Sequence, residues 1–107
     1  MVIGCCFIKF YLHSNSSLKG KRRVIRAIKD RLKNDFNVSV AEVGDQDIWQ
    51  SLHIEISAVG SNRPYMDGLI SKVVDEIDKM NLAEMVDCKT ETLNMGSGDF
   101  LNPNQDC

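Results

Sequence analysis

SLKGKRRVIRAIKDRLKN, residues Ser17 to Asn34, reads as one amphipathic helix. Leu18, Ile25, Ile28 and Leu32 recur at helical spacing with Val24 beside them, an apolar stripe that must be buried against a core. Lys19, Arg22, Arg23, Arg26, Lys29 and Lys33 recur at intervals of three and four on the other side, so the bases share one surface. Lys21 is counted with them. Eight of the chain's 13 Lys and Arg residues fall between Lys19 and Lys33, against a single acid, Asp30. Like charges at these intervals repel, so either tertiary packing or a bound polyanion must offset the repulsion. Ser16 or Ser17 is placed to cap the helix by accepting from its first N–H groups, and the same turn is a candidate for holding one phosphate.

Working outward, the flanking segments supply sheet. Val2 to Leu12, VIGCCFIKFYL, is rich in β-branched and aromatic residues and too short and bulky for a helix. Its even positions, Cys6, Ile8, Phe10 and Leu12, are uniformly apolar and should face the core, while the odd set Cys5, Phe7, Lys9 and Tyr11 is mixed. Phe36 to Val43 alternates as a second strand. Gly44, Asp45, Gln46 and Asp47 supply a turn, and Gln50 to Val59 resumes alternation with Leu52, Ile54, Ile56 and Ala58 inward, as the return arm of a hairpin. After the turn residues from Gly60 to Pro64, a second helix follows, with Met66, Leu69, Ile70, Val73, Ile77 and Met80 on its apolar face and Asp67, Asp75, Glu76 and Asp78 outward. Gly68 weakens that helix locally. Met85 to Leu93 alternates less strongly, as suits an edge strand. The order βαββαβ is that of an α+β ferredoxin-like sandwich: a four-stranded antiparallel sheet with two helices on one face. Residues 1–94 form one domain, and residues 95–107, with little apolar content, form a flexible C-terminal tail.

The totals agree with this scale. The chain has 107 residues, 43% of them hydrophobic and 26% charged, an ordinary soluble composition. No apolar run approaches the roughly 18 residues of a membrane span. Val2 to Leu12 lacks a basic leader and a small-residue cleavage site, so the expected compartment is the cytoplasm. The net charge of −2 conceals a division: residues 1–34 carry nine bases and one acid, whereas residues 35–107 carry four bases and 14 acids. That polarity favours a polyanion or acidic partner approaching one face. Cys5, Cys6, Cys88 and Cys107 match no zinc spacing and are read as reduced thiols, with a contact between Cys88 and Cys5 or Cys6 open if their strands pair.

Outside the helix the candidates are fewer. Gln46, Asp47, Trp49 and Gln50 sit at the hairpin, where Asp47 can order the turn and Trp49 can anchor it with apolar surface; the same group could dock a partner. Glu42, Asp45, Asp47 and His53 fit no metal-ligand spacing, and neither metal nor cofactor is expected. His13 precedes a serine cluster and bases, as in a phosphate-handling loop, although a polar loop histidine is the simpler reading. On the open sheet face Phe7 and Tyr11 flank Lys9. Base stacking there is disfavoured by Glu55, Asp87 and Glu91, and burial in a homodimer, or simple amphipathic exposure, fits better.

A resemblance adds to these readings. Ser17-Leu18-Lys19, Lys21-Arg22-Arg23, Lys29-Asp30-Arg31-Leu32, Phe36 to Val43, and Gln46-Asp47 with Trp49-Gln50 together resemble the YlxP-like family of small bacterial proteins of uncharacterised function, over about residues 1–93. The resemblance implies a ferredoxin-like fold and a cytoplasmic protein. Because relatives are often encoded beside translation initiation and ribosome maturation factors, it also implies a connection to ribosomal RNA. Gly20 stands where relatives usually carry an acid, and the tail after Leu93 is longer than theirs. The expected function is a non-enzymatic RNA-associated protein, with a role in binding or maturing the small ribosomal subunit, gripping phosphate through Lys19, Lys21, Arg22, Arg23, Arg26, Lys29 and Lys33. The alternatives are a dimeric structural or regulatory module and a small phosphate-handling enzyme built on the His13 to Arg22 segment. For the enzyme, the expected glycine-rich cradle with its arginine is missing.

Overall fold

The computed structural model describes residues 1–14, 16–45 and 47–96. Six elements follow in the expected order: β1 (Val2–Tyr11), α1 (Leu18–Asp35), β2 (Ser39–Glu42), β3 (Ser51–Gly60), α2 (Arg63–Met80) and β4 (Glu84–Asn94). The strands form one antiparallel sheet in the order β2-β3-β1-β4, with both helices on one face in a ferredoxin-like arrangement. The expected tail lies outside the described residues from residue 97 onward.

The alternation in β1 has the predicted sense. Cys6, Ile8, Phe10 and Leu12 are buried together with Leu52, Ile54, Ile56 and Ala58 of β3. Against them pack Ile25, Ile28 and Leu32 of α1 and Met66, Ile70, Val73 and Ile77 of α2, forming one core. Removing these side chains from water is the main force holding the helices on the sheet. Gly4 permits the closest approach: a Cβ built there would lie 2.4 Å from Met66 Sδ and 3.0 Å from Ile70 Cγ1, so α2 rests almost on the β1 backbone.

Caps set the helix limits. Ser17 is the N-cap of α1, its Oγ accepting from the Gly20 N–H at 3.1 Å. Asn62 caps α2 by accepting from the Tyr65 N–H, and Asn81 ends it in the left-handed conformation that asparagine tolerates. β2 is shorter than the apolar alternation predicts because Phe36 closes α1, its N–H donating to the Leu32 carbonyl at 2.8 Å. Phe36 and Val38 still pack against the core, so the alternation marked burial there and not pairing.

β4 is an edge, as expected, and it carries a bulge. Lys9 pairs with Asp87 and Phe10 with Met85, which leaves Val86 without a partner on β1. A bulge together with Glu84, Asp87 and Glu91 opposes pairing with another strand. On the open face, Val59, Ile3 and Leu93 stand side by side across three strands, and Phe7 and Tyr11 are also exposed.

Candidate nucleic-acid interface

The first turn of α1 separates two kinds of lysine. Lys19 points to solvent, whereas Lys21 is only 1% exposed. The sequence reading placed Lys21 with the surface bases, and the structure corrects this. Leu18, Lys21, Ile25, Ile28 and Leu32 follow the alternating three- and four-residue intervals of a buried stripe, and Lys21 fills one of its positions. A buried ammonium is tolerated only where its charge is paired and its donors are met. Here two donors meet carbonyl oxygens and a carboxylate balances the charge. Lys21 Nζ donates to the carbonyl oxygens of Asp45 and Ile48, the latter at 2.9 Å, and lies 3.1 Å from Glu42 Oε2 as an ion pair without hydrogen-bond alignment. Glu42 pairs with Ile54 in the ladder and therefore faces the helices. Lys21 thus ties α1 to the end of β2 and to the connection that follows.

That connection is organised by Asp45 and not, as the sequence suggests, by Asp47. Asp45 has φ 45°, its carbonyl accepts from the Ile48 N–H at 3.1 Å, and its Oδ2 accepts from the Ser51 hydroxyl at 2.9 Å. The Ser51 bond holds the Asp45 carboxyl below its usual pKa; desolvation opposes it, and His53, 2.9 Å away, and Lys9 reinforce the lowering. Asp47 is exposed, and Gln46 lies outside the described residues. Trp49 does not bury its ring as an anchor: it and Ile48 are each 48% exposed, and Gln50 is exposed beyond its backbone bond from the Leu12 N–H. The Glu42 carboxylate faces Lys21, the Asp45 carboxylate turns to Ser51 and His53, and Asp47 is exposed, so the four side chains weighed as metal ligands do not converge on one point.

The remaining bases form the predicted surface. Lys19, Arg22, Arg23, Arg26 and Lys33 are exposed and Lys29 is half-buried. At 100° per residue they occupy an arc of about 120°, and they extend along about 20 Å of helix. Among the described residues no carboxylate lies within ion-pair distance of any of the six. Arg31 differs, since it pairs with Glu76 at 2.8 Å and braces α1 against α2. Ser16 is exposed beside this turn, and the Ser17 Oγ serves Gly20 of the helix itself.

His13 turns away from the bases. It pairs with Glu84 at the start of β4 and meets the Tyr11 ring edge-on at 4.5 Å between centroids. A carboxylate beside the imidazole disfavours a phosphate there. Cys6 and Cys88 do approach one another on the helix side of the sheet, as strand pairing allows. Burial, with Cys88 beside it, pushes the Cys6 thiol up to about 12, far from the reactive thiolate.

The fold and this surface define a small ferredoxin-like α+β protein with a basic helical face. The chain belongs to the family described as protein of unknown function DUF503, which matches residues 3–90. It is 36% identical over 90 residues to the uncharacterized protein YlxP of Bacillus subtilis (strain 168), covering 84% of this chain and 98% of that one. Among solved structures it resembles the de novo designed protein Foldit4, with a TM-score of 0.52 and 15% identity over 89% of this chain and 99% of that one. It also resembles a VAO-type flavoprotein from Myceliophthora thermophila C1, with a TM-score of 0.54 and 16% identity over 97% of this chain but 18% of that one. At such identities the structural likeness concerns the fold alone.

Proposed function

We propose that this protein is a non-enzymatic RNA-associated factor that holds RNA by its phosphates through the exposed face of α1, with the small ribosomal subunit as its site of action. The observation that carries this reading is the set Lys19, Arg22, Arg23, Arg26, Lys29 and Lys33, six cations that share one helical face with a single acid, Asp30, and none of them within ion-pair distance of a carboxylate among the described residues. A solvated helix gains nothing from concentrating like charge, whereas a phosphate backbone converts it into affinity through counterion release. Such contacts fix position without reading sequence, which suits recognition of folded RNA. The acidic outer face of α2, with Asp67, Asp75 and Asp78, confines the polyanion to α1. The YlxP resemblance supports ribosomal RNA as the polyanion. In a filter-binding assay with structured ribosomal RNA, the triple variant R22E/R23E/R26E should lose binding while keeping its circular dichroism spectrum; undiminished affinity in that variant would remove the proposal.

A second reading, self-association through the open sheet, is favoured by the row of exposed Val59, half-buried Ile3 and exposed Leu93 together with Phe7 and Tyr11. Sedimentation velocity across a concentration series tests it. A species that remains monomeric at the highest concentration excludes it.

A further inference from the structure

The open face of the sheet carries charge in an arrangement that fixes how a second copy can cover it. Phe7 pairs with Glu55 on β3 and with Lys89 on β4, so one row across three strands reads Glu55, Phe7, Lys89. All three are exposed. Glu55 makes no ion pair among the described residues, and Lys89 reaches only Glu91, at 4.0 Å. Two residues further along β1 the row reads His53, Lys9, Asp87, and in the other direction the last row is Val59, Ile3, Leu93.

Two symmetric ways of laying this face on its own copy keep β1 on β1 with Phe7 at the centre. An axis in the sheet plane but across the strands sets β3 over β3 and β4 over β4 with the strands reversed. It stacks Glu55 on Glu55, Lys89 on Lys89 and Asp87 on Glu91, like charge on like charge at each of these contacts. An axis running along β1 exchanges the sides instead, so β3 of one copy lies over β4 of the other. Each Glu55 then faces the second copy's Lys89, each His53 faces Asp87, and the row Val59, Ile3 and Leu93 meets its own image. Lys9 meets Lys9 at the axis, beside an Asp87 from each copy. Packed sheets are rotated by about 30°, which moves a residue one strand from the axis by only about 2–3 Å, so the Glu55 to Lys89 contact survives the twist.

The area sets the strength. With ten residues each in β1 and β3, the face measures about 33 Å along the strands and about 14 Å across β3, β1 and β4. Two such faces bury about 1,000 Å², the lower limit for a specific interface, so dissociation in the micromolar range is expected.

We infer that the open sheet face pairs with the same face of a second copy about a two-fold axis along β1, with Glu55 of each copy on Lys89 of the other. The inference rests on the self-association reading above and narrows it from a face to a symmetry.

Sedimentation velocity of the full chain over a concentration series at low salt reads the association. E55K and K89E each set like charges at both symmetric contacts and should weaken the dimer about tenfold. Mixing these two variants should restore association, because a heterodimer has opposite charges at both contacts, and E55K/K89E should regain it alone. F7E, at an exposed strand position on the axis, should give a monomer, with thermal melts showing that every variant folds. Association that F7E abolishes, but that neither single reversal weakens and mixing does not restore, overturns the axis while self-association through this face survives. Association untouched by F7E lies elsewhere on the molecule and overturns the inference together with the open-sheet reading. A wild type that is monomeric at the highest concentration also overturns both; if it holds a partner protein that F7E loses, the face serves that partner instead.

Discussion

Lys21→Met removes the buried ammonium while keeping most of the aliphatic stem. It leaves the Asp45 and Ile48 carbonyl oxygens and the Glu42 carboxylate facing a thioether. Each buried acceptor left without a donor costs roughly 1–3 kcal/mol, and breaking a buried ion pair costs about 3–5 kcal/mol altogether. The Glu42 side chain keeps 20% of its exposure, so water can solvate part of the stranded charge and the lower end applies, about 3 kcal/mol. For a domain of this size that corresponds to a fall in Tm of about 12–24 °C. Urea denaturation followed by circular dichroism measures it. The double variant K21M/E42L removes both charges and should recover at least half of the loss, because an apolar pair in place of a buried ion pair is commonly near neutral. Binding of RNA by folded K21M should equal that of the wild type, since this lysine faces inward. A K21M protein as stable as the wild type, or one that folds normally but has lost RNA binding, refutes the assignment of Lys21 to the core.

Gly4→Ala should destabilise by about 1–3 kcal/mol, read from the urea midpoint, because its Cβ meets Met66 and Ile70 in a packed core. Gly68→Ala should stabilise by about 1 kcal/mol, since the new methyl meets nothing within 4 Å and the helix loses its most flexible residue; a lowered Tm would contradict this. The Asp45 carboxyl has a folded pKa below the ordinary 3.8 of an aspartate, so its contribution to stability is present above 3.8 and fades as pH falls through the lowered value. The stability difference between wild type and Asp45→Asn should therefore be largest near neutrality and shrink in acid. A constant difference across that window would exclude the linkage.

The element order was legible because three signals agreed: alternation in β1 and β3, the helical stripe of Ile25, Ile28 and Leu32, and serine and asparagine caps where helices begin. Three places show where legibility ended. Lys21 was assigned by charge to the surface although its spacing from Leu18 and Ile25 is that of a core position; spacing was the better guide, and the acceptors that make the burial tolerable come from residues 42–48, which no local reading connects to it. Asp45 and Asp47 could not be ranked as turn organisers from sequence, because the difference lies in the Ser51 hydroxyl and a left-handed backbone. The exposure of Trp49 was equally hidden. A tryptophan between two strands is ordinarily an anchor, and only the backbone bonds on either side of it leave the ring outside. The basic stripe, by contrast, was legible almost whole, since exposed positions on a helix follow from periodicity alone once the buried face is known.

The claim that α1 grips phosphate is tested most directly by the salt dependence of binding to structured ribosomal RNA. Each neutralised phosphate contributes roughly −0.7 to −0.9 to the slope of log K against log salt, so the five exposed bases predict a slope of about −4. In R22E/R23E/R26E the slope should flatten by about 2 to 3 units, with affinity lost at every salt concentration. Binding that ignores salt, or a slope unchanged by the triple reversal, would contradict the account.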